Sequence, residues 1–122
     1  MLRGEQQAPD STGGVAVAEE MIWRCGACGH SIARDADRTP LEGAATRAFV
    51  NPAGIEYVIA GFREARGCIE SGERSAYWSW FAGFSWQVAL CGECGAHLGW
   101  RFESAAVRFY GLVLDRLSAP SA

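Results

Sequence analysis

Two matched cysteine knuckles constrain this chain more than any other feature. Cys25-Gly-Ala-Cys28-Gly and Cys91-Gly-Glu-Cys94-Gly repeat one pattern, with 62 residues between Cys28 and Cys91. Each CxxC places two thiolates on one tight turn, and four thiolates close the tetrahedral sphere of a zinc ion at ~2.3 Å per sulfur. Gly26, Gly29, Gly92 and Gly95 suit such turns, because glycine lets the backbone curl and offer N–H groups to sulfur. One structural Zn2+ on Cys25, Cys28, Cys91 and Cys94 is therefore expected. It would close a very long loop and support the thin core of a small domain. A thioredoxin-like redox pair is the competing reading, but it needs one CxxC on a βαβ unit, and both pairs here stand at strand ends. Cys68 is left over and reads as a small buried hydrophobe. His30 and His97 flank the knuckles as spare ligands that four cysteines make unnecessary.

Composition narrows the function classes. The 122 residues suit one domain. Fourteen acids against 11 basic residues give a net charge of −3, which speaks against a nucleic-acid binder needing a basic stripe. All the basic residues are arginine, so Schiff-base and P-loop lysine chemistry is absent. No apolar run is long enough for a transmembrane helix, so no membrane partner is expected. Residues 1–20 lack the apolar block and cleavage site of a signal peptide. With unpaired cysteines suited to metal, a cytoplasmic location is the expectation.

Along the chain, polar residues 1–17 with Pro9, Gly13 and Gly14 read as a disordered tail, 18–117 as the folded domain, and 118–122 as a second loose end. Strands are expected at Ile22-Trp23-Arg24, His30 to Arg34, Ala48 to Val50, Ile55 to Phe62, Tyr77 to Phe81, Phe84 to Leu90, Leu98 to Glu103 and Val107 to Leu114. Ala82-Gly83 reads as a hairpin turn and Asn51-Pro52-Ala53-Gly54 as another. Residues 35–46 read as loop, and 66–75 as loop with a short strand or bulge at Cys68-Ile69. The fold class is all-β.

Four of the five tryptophans fall between Trp78 and Trp100. Residues two apart on a strand share a face, so Trp78 pairs with Trp80 and Trp100 with Phe102. A turn at Ala82-Gly83 would return Trp86 opposite Trp80. These rings could simply be core, as most strand aromatics are. Alternatively, Trp80, Trp86 and Trp100, flanking a rigid knuckle, could wall a small apolar box for one ring.

Three segments carry a family resemblance: Asn51-Pro52-Ala53-Gly54, Ser79-Trp80-Phe81-x-Gly83-x-x-Trp86, and Leu90-Cys91-Gly-x-Cys94-Gly-x-His97-Leu98-Gly99-Trp100. Together they resemble the cereblon-type thalidomide-binding domain, and its small stand-alone bacterial members most of all, over roughly 21–117. The resemblance implies two antiparallel sheets packed at a steep angle and pinned by a four-cysteine zinc site. It also implies that Trp80, Trp86 and Trp100 cage cyclic imides such as the glutarimide of thalidomide. By the same carry-over, Trp80 gives its indole N–H to an imide carbonyl and Phe102 supports the floor. The backbone at Trp78, next to Ser79, meets the imide N–H and the second carbonyl, and Asn51 stands at the lip. Trp78 departs from the histidine of the animal protein, so only its backbone role carries over. No ubiquitin-ligase adaptor surface is expected in so short a chain.

Three rivals stand beside a non-catalytic imide binder. An aromatic cage can bind a cationic ammonium, with Glu73 or Glu103 as carboxylate. A methionine sulfoxide reductase B-like enzyme shares the zinc-pinned β architecture, but no cysteine follows Cys94 and Cys68 is misplaced for the nucleophile. The same pocket could also recognise chain ends carrying cyclised glutamine or asparagine.

Overall fold

The computed structural model describes residues 20–121, so the expected tail at 1–17 lies outside the described residues. Short β-branched and aromatic runs punctuated by glycine and proline turns produce ten strands, two short 3-10 turns and no α-helix among the described residues. No helix there is long and apolar enough to cross a membrane. The strands are β1 (Ile22–Cys25), β2 (Ser31–Arg34), β3 (Arg38–Thr39), β4 (Thr46–Val50), β5 (Glu56–Phe62), β6 (Cys68–Ser75), β7 (Ser85–Cys91), β8 (His97–Glu103), β9 (Arg108–Val113) and β10 (Leu117–Ser121). The 3-10 turns are Asp35–Asp37 and Leu114–Arg116.

All pairings are antiparallel and form two sheets, as the all-β expectation requires. The larger runs β3-β5-β9-β8-β7-β6 with β4 also on β5, and the smaller runs β10-β1-β2. The small sheet covers one face of the large one. Ile32, Ala33 and Leu117 pack there with Ala60, Phe62, Ala89, Leu98 and Leu112. The opposite face carries a second cluster of Leu41, Ile59, Phe81, Phe102 and Val113, ringed by half-buried aromatics. β5 serves both: Ile59 points to the aromatic side while Ala60 and Phe62 join the inter-sheet core, and its last four residues are buried. A strand covered on both faces reads as a continuous apolar run, which is what Ile59 to Phe62 shows.

Gly67, in the turn before β6, ties the small sheet to the large one. Its N–H donates to the Ile32 C=O (2.9 Å) and its C=O accepts from the Gly92 N–H (2.8 Å). A Cβ there would lie 2.0 Å from the Ser31 carbonyl oxygen, so no larger residue fits the crossing.

Three expectations are corrected. Residues 77–81 are not a strand and 82–83 do not turn a hairpin: 76–84 is a loop, because β7 takes β6 as its partner and Trp78 adopts a left-handed φ of 54°. Correspondingly, 68–75 is a full strand rather than a loop. β6 is the sheet edge, exposed over most of its length, so its glutamates, serines and arginine mask it. Finally, the chain end is ordered through 121. β10 pairs with β1, and the register shift between Ser118 and Ser121 places Pro120 at a bulge on an edge strand, where its missing N–H is harmless.

Candidate functional site

The cysteines form one cluster across the two sheets. Cys25 ends β1 and Cys91 ends β7, while Cys28 and Cys94 lie in the turns that follow. Both knuckles fold by the same backbone bonds. Gly29 N–H reaches Cys25 C=O at 2.8 Å and Cys25 N–H reaches His30 C=O at 2.9 Å; Gly95 to Cys91 and Cys91 to Ala96 repeat them at 2.9 and 2.8 Å. Gly29 and Gly95 hold matching left-handed φ values of 81° and 80°, which favour glycine. All four sulfurs lie within 4.8 Å of one another. Cys25 and Cys94 are 3.7 Å apart at sulfur, and Cys28 and Cys91 3.6 Å. A tetrahedral ion with ~2.3 Å sulfur bonds sets its ligands about 3.8 Å apart, so the donor set fits a metal.

Without an ion the cluster shares its protons unevenly: Cys28 is pushed up to about 12 and Cys94 is also raised, while Cys91 is lowered. Burial pushes the Cys91 thiol up, but N–H groups of Cys94 and Glu93 and the Cys28 thiol outweigh it, bringing Cys91 to about 7. Cys68 stands outside the cluster, across the strand from Cys91. Burial and then Glu70 push it to about 12, so it is a neutral thiol. Neither histidine belongs to the cluster.

On the other face of the large sheet lies a cavity of about 360 Å³. The register assembles its floor and one wall: Trp86 pairs with Phe102 and Val88 with Trp100, so these four share a face of β7 and β8. Trp80 arrives from the 76–84 loop and meets Trp100 edge-on, centroids 4.8 Å apart at 76°. Phe49 stacks behind Trp80 at 5.0 Å and 8°. Tyr57 and His97 both set ring edges against Trp100, at 5.1 and 4.9 Å. Phe102 is 1% exposed and packs on Phe81 and Phe109, so it is core as well as floor.

The structure thus brings Asn51, Trp78, Trp80, Trp86, Trp100 and Phe102 around one cavity; Ser79 does not line it. The Ser79 hydroxyl turns inward and donates to the Phe81 C=O at 3.0 Å, shaping the loop. Asn51 organises its own turn, its Oδ1 accepting the N–H groups of Ala53 and Ile55 at 2.9 Å each. The indole N–H expected to face a ligand from Trp80 is already engaged. Trp78 and Trp80 both donate to the Val50 C=O at 3.0 Å, and Trp86 donates to the Tyr77 C=O at 2.6 Å. These bonds, rather than a shared strand face, bring Trp78 and Trp80 together.

Pro52, Tyr57, Tyr77, Val88 and His97 also line the cavity and escape sequence reasoning. Val88 was open to discovery, since it stands two residues from Trp86 on one strand. His97 was read as a spare ligand, whereas its ring faces Trp100. Burial and then the neighbouring Arg116 charge hold His97 below the ordinary imidazole value, against the Gly99 C=O that its Nε2 bonds at 2.9 Å. Among the described residues no carboxylate lines the cavity. Glu103 is taken by Arg74 (2.5 Å) and Arg101 (2.7 Å).

Comparison with known proteins returns one name repeatedly. Over 109 residues, 82% of this chain, it is 35% identical to protein cereblon of Drosophila pseudoobscura pseudoobscura. Over 75 residues, 57% of the chain, it is 35% identical to protein cereblon of Gallus gallus and 33% to that of Danio rerio. The matched region covers 17% of each of these three relatives, so the chain spans under a fifth of their length. No protein-family model matches.

Proposed function

Because this chain is a cereblon-type domain, we propose that its aromatic cavity binds cyclic imides without turning them over. The observation that carries this reading is a cavity of about 360 Å³ with indole walls and no carboxylate among the described residues. A glutarimide presents apolar methylenes and a C=O, N–H, C=O edge. The methylenes suit the indoles of Trp80, Trp86 and Trp100. The edge suits the backbone at Trp78, next to Ser79, in a loop that takes part in no strand pairing among the described residues. A carbonyl on the ring meets the Trp80 N–H only by competing with Val50.

Burying one such ring removes ~150 Å² of apolar surface, or about 3–4 kcal/mol. With two or three hydrogen bonds at about 1 kcal/mol net each and the loss of rigid-body freedom, micromolar affinity is expected. The natural ligands in this reading are thalidomide-like imides or chain ends carrying a cyclised side-chain amide. In the four-cysteine cluster the ion is Zn2+ and its role is structural, since four thiolates leave no open position for substrate.

The rival readings find less support. An ammonium cage gains from a carboxylate, and none of the described residues brings one to the cavity. A reductase needs a reactive thiolate, and Cys68 is buried and neutral. Free thiols suit a cytoplasmic location.

The test is a titration of zinc-loaded protein with glutarimide, followed by tryptophan fluorescence. Saturation in the micromolar range, competed by thalidomide and unchanged between 50 and about 500 mM salt, is the expected result, because a neutral ligand escapes screening. Absence of any response with fold and metal intact overturns the reading, and salt-sensitive binding of ammonium ligands moves it to the cation cage.

A further inference from the structure

Arg116, last residue of the second 3-10 turn, touches both ends of the molecule. Its backbone C=O accepts the N–H of Gly26, inside the first knuckle, at 3.0 Å. Its Nη1 donates to the C=O of His97, three residues beyond Cys94, at 2.9 Å, and lies 3.3 Å from His97 Nδ1. With Nδ1 accepting from arginine, Nε2–H is left to donate to the Gly99 C=O, so one neutral tautomer satisfies both ring nitrogens. The guanidinium carbon sits 5.5 Å from the Tyr57 ring centroid. His97 and Tyr57 are two of the three rings set edge-on to Trp100, at 4.9 and 5.1 Å, Trp80 being the third, so a single guanidinium holds two of the supports of that wall.

We propose that Arg116 is a positioning residue that couples the cysteine cluster to the Trp100 wall of the cavity. The first knuckle fixes its backbone and the exit of the second fixes its side chain. The same side chain then sets two of the rings against which Trp100 leans. Metal loss loosens both anchors, and the cavity changes shape with them. The coupling runs through a charge-assisted bond in a half-buried setting, where such bonds are stronger than neutral ones. Only the affinity arm of the test below rests on the cyclic-imide reading.

The experiment follows the Trp100 indole N–H resonance in the full chain, with zinc content measured in parallel by a chelating dye. R116M keeps the backbone C=O and the aliphatic length but removes every donor and the charge; R116K restores the charge and a donor. The expected result is one zinc retained in R116M, a shifted or broadened Trp100 resonance, and partial return in R116K. Glutarimide affinity in R116M falls roughly five- to tenfold, the low end of coupling between two sites. An unmoved Trp100 resonance in R116M overturns the proposal, as does a shift that appears only with loss of zinc. If R116M does not fold, R116Q, which removes the charge, decides in its place: a Trp100 shift with zinc retained supports the coupling, and none overturns it. A wild-type chain that holds no metal also overturns it. Should wild-type protein bind zinc but not glutarimide while R116M still moves Trp100, the coupling stands and the imide reading falls.

Discussion

The two ends of this molecule are built by opposite strategies. At the cysteine cluster, each ligand pair comes from one five-residue turn, and both turns use the same backbone bonds at the same glycine positions. Around the cavity, the walls come from four separated stretches, and what joins them is a set of single contacts such as the two indole N–H groups on the Val50 carbonyl. The first arrangement is local and redundant within each turn, so its geometry needs only that the two turns meet. The second depends on the register of β7 against β8 and on a loop in which Trp78 is left-handed. A binding surface made this way can change by single substitutions without disturbing the frame that carries it.

That contrast can be broken in the laboratory. The largest effect should come from the cluster. Cys91→Ser, or exhaustive chelation, removes the clip between the sheets, and the expected loss is comparable with the whole stability of a small domain, about 5–15 kcal/mol. Circular dichroism of the chelated protein checks this; a cooperative melt unchanged by chelation would falsify the structural role of the metal. Trp100→Ala should act the other way round, lowering glutarimide affinity about a hundredfold or more while zinc stays bound. Binding and metal assays on that variant separate the two ends, and joint loss of both would erase the distinction.

The smallest expected effect concerns pH. His97 is held below its ordinary value by burial and Arg116, so folding favours its neutral form. As pH falls below about 6.5, the unfolded chain takes up a proton that the folded chain refuses, and stability declines until the folded value is passed. Above about 6.5 this group contributes no slope. A melting temperature lower by a few degrees at pH 5.5 than at 7.5, with the difference reduced in His97→Gln, is the expected outcome. An equal difference in both proteins would remove His97 as its source.

How much could be read in advance follows the same division. The knuckles were legible because ligand identity, spacing and glycine positions are all local. The all-β class and most strands were legible from β-branched and aromatic runs between turn residues. β6 was hidden because an exposed edge strand carries Glu70, Glu73 and Arg74, the residues that also compose loops. The loop at 76–84 misled for the converse reason: Tyr77, Trp78, Trp80 and Phe81 have strand-forming side chains, yet a left-handed Trp78 and the Ser79 hydroxyl bend the chain there. The structure gathers the tryptophans at one cavity, but their mutual placement was not legible, because indole-to-carbonyl bonds across 28 and 30 residues leave no periodicity.

The bulged edge strand has a consequence for the behaviour of this protein in concentrated solution. β6 ends a seven-stranded sheet and would offer eight residues of backbone donors and acceptors to any neighbouring copy. Its register shifts between Ser71 and Ser75, and Gly72 takes a left-handed φ of 76°, so the row of groups is interrupted midway and flanked by charge. An interrupted, charged edge resists strand-to-strand stacking. Straightening it, by removing the irregularity at Gly72, is expected to promote fibrous aggregation, detectable as turbidity and thioflavin fluorescence that exceed those of the unaltered chain at millimolar concentration.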